Sequence, residues 1–413
     1  MTVSPTGIDA VLEAPPPAFS PALACDAGRT GFGLDAAGAS GLGSERDQAF
    51  LLRDAAGVAT GVLKVSNQAE DPAMLDMEAL ATFHAIRVDQ ELTIALPRRT
   101  VRAGREPAPP GDDAPGDDVP GRRLRWEHDG APYWVRAYDV LPGRARLDPL
   151  TLPDGALSSW GETTARLGRA LRGFIHPRAI RRLPWDVQHA ATARPMLSAI
   201  DDPGARAAVT GVLDRFDAAV TPRWGELRAQ VIHGDLTADN VLADEDGLIT
   251  GIVDFGDMTH TALIADLASV LDSVCAGRVP EEMFRTARLV IDGYQRVLPL
   301  EQAELDLLGE LWAARSAVTV AIGSWRAAAG LEDPAFAGRF HDSALAMLDA
   351  LLTAGWDALP SRLGAGLDGS AGSAPQPGPA GPTLAARRGT VFGPTTEAFS
   401  YAAPIELSGV RGV

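Results

Sequence analysis

Two short runs hold the residues best suited to chemistry. His233-Gly-Asp-Leu-Thr-Ala-Asp-Asn240 sets Asp235 five positions before Asn240, and Gly251-Ile-Val-Asp-Phe-Gly-Asp257 sets Asp254 14 positions after Asn240. Phosphoryl transfer needs a group that orients the attacking hydroxyl, divalent metal on the phosphates, and cations on the developing charge. An Asp and an Asn at this spacing on a tight loop supply the first part and half of the second. An Asp-Phe-Gly at the end of a nearby strand supplies the other metal ligand. Asp-Phe-Gly alone is a weak signal; the two runs together, on strand-like flanks, are specific. Asp239, Asp244, Glu245 and Asp246 read as acidic loop residues facing solvent.

The cations are as informative. Of 37 basic side chains in the 413 residues, Lys64 alone is a lysine, although lysine is ordinarily among the commonest residues. Asparagine is nearly as scarce, at Asn67 and Asn240. A composition bias that trades Lys for Arg acts as a filter, so a surviving lysine marks a place where a compact ammonium serves and a broad planar guanidinium does not. Asn240 survives where a metal asks for a neutral carbonyl ligand. Asn67 has no comparable explanation in the sequence.

The same arithmetic excludes other classes. A net charge of −17 leaves no basic surplus for nucleic acid or an anionic membrane. Cys25 and Cys275 cannot form a disulfide framework, and no Cys-x-x-Cys pair suggests zinc. Met1-Thr-Val-Ser-Pro does not begin a signal peptide, and no apolar run approaches the length of a bilayer span. A soluble, cytoplasmic protein is expected.

The elements that must position these residues are readable in outline. Residues 1–30 are Pro- and Ala-rich and read as a loose lead-in. Ala49–Arg53 and Thr60–Val65 flank Asp54-Ala-Ala-Gly57 as a hairpin, with Lys64 near the end of the second run. Asp71-Pro72 caps a helix running to about Arg87 that carries Met74, Glu78 and His84. Residues 103–121, dense in Pro, Gly and Asp, read as a flexible insertion. A second hairpin, Leu124–Glu127 with Tyr133–Tyr138, ends at Leu141-Pro-Gly143, a boundary between a small β-rich lobe and a helical one. Trp160, Thr164, Leu167, Leu171 and Phe174 form one helical stripe, and 301–330 and 338–355 read as buried helices. Two short β-like runs hold the polar cluster between Gln230 and Asp257. A Gly/Ala/Pro/Ser linker follows at 361–382, then a tail at 383–413.

Together these residues resemble the aminoglycoside phosphotransferase/choline kinase family, small-molecule relatives of the protein kinases, over residues ~30–355. The resemblance implies a two-lobed, protein-kinase-like α+β fold, with an N-lobe at 31–140 and a helical C-lobe at 141–360. It implies ATP and Mg²⁺ as cofactors, Asp235 as the catalytic base, and Asn240 and Asp254 as metal ligands. Leu42-Gly-Ser-Glu-Arg-Asp-Gln48 falls where the family's phosphate-covering loop lies, so Gly41, Gly43 and Ser44 would approach the phosphates. Lys64 would hold the phosphates and pair with Glu78. The hinge against the purine would be Ala137–Val140, including Tyr138 and Val140. His233 and Asp266 would support the catalytic loop. Asp257 and His260 would line the acceptor site or cap the next helix. Trp185, Asp186, Gln188, His189, Trp325 and Arg326 lie where acceptor-pocket residues lie in such kinases, though core packing explains the tryptophans equally well.

Only nine residues separate Gly256 from Asp266-Leu-Ala, and no Ala-Pro-Glu follows, so a small acceptor is preferred over a peptide. Gly-Ser-Glu-Arg-Asp-Gln, Ala-Glu-Asp-Pro and Val-Asp-Phe-Gly-Asp-Met look most like the hydroxylysine kinase group, whose bacterial members often precede a class III aminotransferase-like domain. The tail from Leu384 resembles the entrance to such a domain, which makes a pyridoxal-phosphate-dependent lyase a possible partner. The expected function is ATP- and Mg²⁺-dependent phosphorylation of a small amino-containing alcohol. The alternatives are a nucleotide-binding pseudokinase serving as a scaffold, and a kinase modifying Ser or Thr in a peptide.

Overall fold

The computed structural model describes residues 16–43, 47–101, 121–331 and 334–364. Ser44, the insertion at 103–120 and the tail at 383–413 lie outside the described residues.

The first element corrects an expectation. The last third of the segment read as a loose lead-in belongs to helix α1, Pro21–Phe32. Ser20 accepts the Leu23 N–H, Pro21 pre-sets the first turn, and Gly33 closes the helix at φ 66°. Its buried face is Ala24, Cys25, Ala27, Gly28, Gly31 and Phe32, and all but the last are small residues that let the helix lie close on the sheet beneath it.

That sheet has five antiparallel strands: β1 Gly38–Gly41, β2 Gln48–Arg53, β3 Ala59–Val65, β4 Leu124–His128 and β5 Ala131–Tyr138, in the order β1-β2-β3-β5-β4. Both expected hairpins form. In the first, Asp54 Oδ1 accepts the Ala56 and Val58 N–H groups and Gly57 adopts φ 83°. The second turns at Asp129-Gly130, both with positive φ, as a two-residue connection requires. Leu63 and Val65 point into the core shared with α1, so the alternation of β3 turns Lys64 to the opposite face. Ala49 and Arg136 are its cross-strand neighbours on β2 and β5.

Helix α2, Pro72–Val88, is capped by the Asp71 side chain. Its Met74, Met77, Ala81 and Ala85 join the large core of the helical lobe. That lobe is built from α3 Asp154–Ala170, α4 Pro203–Arg215, α5 Ala265–Cys275, α6 Pro280–Val297, α7 Gln302–Ala328 and α8 Pro334–Ala354. The Trp160 stripe is buried through Leu171, but α3 ends at Ala170 and Phe174 packs from the turn beyond it. The polar cluster lies among four short strands rather than two: β6 Ala229–Ile232 pairs with β9 Thr259–Ala262, and β7 Val241–Ala243 with β8 Ile249–Ile252. The backbone at Thr93–Ala95 bonds to Ile252 in both directions, joining the segment after α2 to the strand that precedes Asp254.

Helices α3 and α6 meet through a reciprocal glycine contact. A Cβ at Gly161 would lie 1.9 Å from the Val290 carbonyl oxygen, and one at Gly293 would lie 2.0 Å from that of Ser158. Both obstacles are backbone, so the helices themselves must part. Gly161→Ala is therefore expected to destabilise the protein by at least ~2 kcal/mol, read as a fall in thermal midpoint. An unchanged midpoint would contradict this contact.

Candidate active site

The loop between β6 and β7 holds Asp235 and Asn240. Its entry is fixed by a buried carboxylate: Asp266, at the start of α5, accepts the backbone N–H groups of His233 (3.2 Å) and Gly234 (2.7 Å). Burial pushes the Asp266 carboxyl above the usual range, against the pull of His233 and the two N–H groups. His233 is fully buried. Its Nδ1 accepts the Asp235 N–H at 3.3 Å, so Nε2 carries the proton and donates to the Val253 carbonyl at 3.0 Å. Both ring nitrogens are thus committed to backbone, and the ring packs on Phe255. The geometry suits the supporting roles expected of His233 and Asp266. Gly234 takes φ 85°, and a Cβ there would lie 2.4 Å from the Asp257 carbonyl oxygen, so this turn requires glycine.

Asp235 is oriented from both sides. Asn240 Nδ2 donates to its Oδ2 at 2.7 Å and to its main-chain carbonyl at 2.8 Å. Arg315 Nη2 donates to its Oδ1 at 3.0 Å. With the Asn240 amide nitrogen committed to Asp235, its carbonyl oxygen is the atom left to face a metal. Asp254 sits in left-handed backbone at φ 58°, unusual for a non-glycine residue. Its Oδ1 accepts from Lys64 Nζ at 2.7 Å and from the Gly256 N–H at 3.3 Å. The fold therefore links three separate stretches of chain: the loop of Asp235 and Asn240, the Asp254 segment, whose Val253 N–H bonds the Asn240 carbonyl at 3.0 Å, and Lys64 on β3.

One expected pair does not form. Lys64 pairs with Asp254 and with Asp47 (3.3 Å), whereas Glu78 is taken by Arg136, and both members of that second pair are buried. The physical reason is register. Arg136 lies directly across from Lys64, and its longer side chain reaches the α2 carboxylate. Burial alone would lower the Lys64 pKa, but the carboxylates of Asp254 and Asp47 more than offset it, so the ammonium is held charged.

Other expected positions divide. Gly43 has φ 77°, and a Cβ at Gly41 would meet nothing within 4 Å, so that backbone is open to a ligand. In the hinge, the Ala137 carbonyl already accepts the Arg98 N–H at 2.7 Å, Tyr138 is half-buried, and Val140 is exposed just beyond the sheet. Of the residues expected at an acceptor site, Trp185, Asp186 and Asp257 line one small cavity with Gly234, Thr261 and Ser269. Asp186 is buried; its Oδ1 accepts from the Gln188 N–H (3.0 Å) and the Thr261 hydroxyl (2.9 Å), while Oδ2 has no protein partner. The Thr261 hydroxyl also approaches Gln188 Oε1 at 3.3 Å. Burial raises the Asp186 carboxyl above the usual range. His260 alternates with Thr261 on β9 and is exposed, so it faces away from this cavity. Trp325 and Arg326 lie on α7 more than two turns beyond Arg315, about 15 Å along the axis, outside this cluster.

Three residues escaped the sequence reading. Arg315 carries no motif and lies 80 positions from the aspartate it touches. Arg181 donates to the Gly256 (2.6 Å) and Met258 (2.9 Å) carbonyls, bracing the segment after Asp254. Asp47 lay inside the loop already singled out, but only the three-dimensional pairing shows its role.

Comparison with known proteins finds phosphotransferase relatives. Residues 115–300 match the phosphotransferase enzyme family, APH. The chain is 28% identical over 185 residues to hydroxylysine kinase of Danio rerio, covering 43% of this chain and 51% of that one. It is 33% identical over 205 residues to homoserine kinase of Rhodopseudomonas palustris, covering 46% of this chain and 60% of that one. The chain thus spans about half the length of the hydroxylysine kinases it matches. Among solved structures, a microcompartment-associated aminopropanol kinase superposes with a TM-score of 0.58 at 19% identity, over 78% of this chain and 94% of that one. A choline/ethanolamine kinase family protein from Mesorhizobium loti gives 0.52 at 15% identity, over 79% and 92%. In fold the chain is similar to small-molecule kinases, and its residues 115–300 match the APH phosphotransferase family.

Proposed function

We propose that this chain is an ATP- and Mg²⁺-dependent kinase that phosphorylates the hydroxyl of a small amino-containing alcohol. The observation that carries the reading is the doubly held Asp235 carboxylate, on one loop with Asn240, with that loop bonded to the strand end that leads to Asp254, the partner of Lys64. Asp235 orients the acceptor hydroxyl and accepts its proton as the oxygen bonds to the γ-phosphorus, the bond to the β-phosphate oxygen breaks, and ADP leaves. Lys64 grips the nucleotide phosphates as a compact cation. Asn240 Oδ1 and the Asp254 carboxylate are hard oxygen donors, which suits Mg²⁺: it takes one or two protein ligands and completes its shell with phosphates and water. A metal held by these two residues would supply charge neutralisation on the transferring phosphate.

The acceptor class rests on Asp186. A buried carboxylate oxygen without a donor is costly, and an ammonium group arriving in the cavity beside Asp235 would satisfy it. Hydroxylysine, homoserine and aminopropanol, named for the relatives, each join an amine to a hydroxyl. A coupled ADP-release screen tests the proposal with hydroxylysine, homoserine, ethanolamine, aminopropanol, choline and aminoglycosides. ADP release is expected with amino alcohols, to be abolished by EDTA, and to be weak with matched diols that lack the amine. Turnover with peptide substrates alone, or none with any acceptor, would overturn the assignment.

A further inference from the structure

We propose that Asp47, and not Glu78, is the residue that positions Lys64 for the nucleotide phosphates. This rests on the reading of Lys64 as the phosphate-gripping cation. Lys64 Nζ lies 3.3 Å from Asp47 Oδ2, with the two side chains only 13% and 12% exposed. An ion pair this sheltered is screened far less than one on the open surface.

Asp47 is itself fixed. Its Oδ1 accepts the Asn67 N–H at 3.0 Å, and Asn67 is fully buried, with its own Oδ1 accepting the Ala69 N–H at 2.9 Å. The carboxylate is therefore anchored to the turn that follows β3, three residues beyond the lysine it holds. The second surviving asparagine thus meets the lysine's partner through its backbone N–H, while its side chain closes the turn onto Ala69.

Glu78 is unavailable for the same task. It is bound by Arg136, which stands across the strand pair from Lys64 on the same face. Two cations side by side compete for one carboxylate, and the guanidinium both takes Glu78 and repels the ammonium from it. Helix α2, whose apolar face belongs to the core of the helical lobe, is thus tied to the sheet through Arg136. The other partner of Lys64, Asp254, is assigned to the metal. Asp47 is the carboxylate that stays with the lysine when Asp254 is so engaged.

The test is calorimetric titration of Mg-ATP into the full chain and its variants, with KM for ATP and for the alcohol and a thermal midpoint for each. Asp47→Asn is expected to raise the Kd and KM for ATP about tenfold, with KM for the alcohol unchanged, and Asp47→Glu to recover most of that loss. Glu78→Gln is expected to lower the thermal midpoint while ATP affinity stays within about threefold. Should Glu78→Gln fail to fold, the pair Glu78→Leu and Arg136→Met, which removes both charges together, takes its place. Unchanged ATP affinity in Asp47→Asn, or equal weakening in the Glu78 variant, would overturn the proposal. A wild-type chain that binds no Mg-ATP would instead overturn the kinase reading, and this inference with it.

Discussion

Asp235→Ala is expected to lower kcat by about 10³-fold or more, while the affinity for Mg-ATP stays within about threefold. The separation follows from how the loop is held. Alanine removes both carboxylate oxygens, so the acceptor hydroxyl loses the group that orients it and takes its proton. Asn240 keeps its second contact, because Nδ2 also donates to the main-chain carbonyl of residue 235 at 2.8 Å. The entry to the loop keeps the two bonds from His233 and Gly234 to Asp266. The metal-facing oxygen of Asn240 therefore stays in place, and Lys64 and Asp254 are untouched. Single-turnover phosphate transfer, set beside calorimetric ATP binding, measures the two effects separately. Turnover within about tenfold of wild type would remove Asp235 from the chemistry.

What was legible in the sequence follows a physical line. Asp235, Asn240 and Asp254 were readable because one loop and one strand end hold them, so their geometry is mostly local. The two hairpins and α2 announced themselves through turn residues and an Asp-Pro cap. Helix α1 was missed although Ser20-Pro21 and Gly33 are sound boundary signals. Its buried face is mainly alanine and glycine, which bury little area and leave a weak periodicity. The Lys64 partnership was missed because it depends on which residue of β5 stands opposite β3, a pairing between positions 64 and 136 that leaves no local trace in the sequence. Arg315 was missed for a related reason. It interrupts a long apolar helix, where one charged residue looks incidental until the helix is docked.

That helix supplies the second large effect. Arg315 is buried, and its guanidinium serves three partners at once: Asp235 Oδ1 at 3.0 Å, the Trp185 carbonyl at 3.0 Å, and the Trp185 ring, whose centroid is 5.2 Å away. It also moderates Asp272, a buried carboxyl that burial pushes upward and that Arg315 draws back down. Arg315→Met removes a cation from among these groups and leaves them without it, so a loss of about 3 kcal/mol of stability is expected. Asp235 would lose the contact on its Oδ1 and swing more freely, and misplacement of a catalytic group by about 1 Å can cost on the order of 10²-fold in rate. Arg315→Lys should restore the charge without restoring the rate. An ammonium can reach Asp235 or the Trp185 carbonyl, but it lacks the planar fork that meets both while lying over the indole. The decisive comparison is kcat of the folded Lys variant at a temperature well below its midpoint. A rate near wild type would show that Arg315 serves only as buried countercharge; a rate as low as that of the Met variant would show that catalysis depends on the fork fixing Asp235 in place.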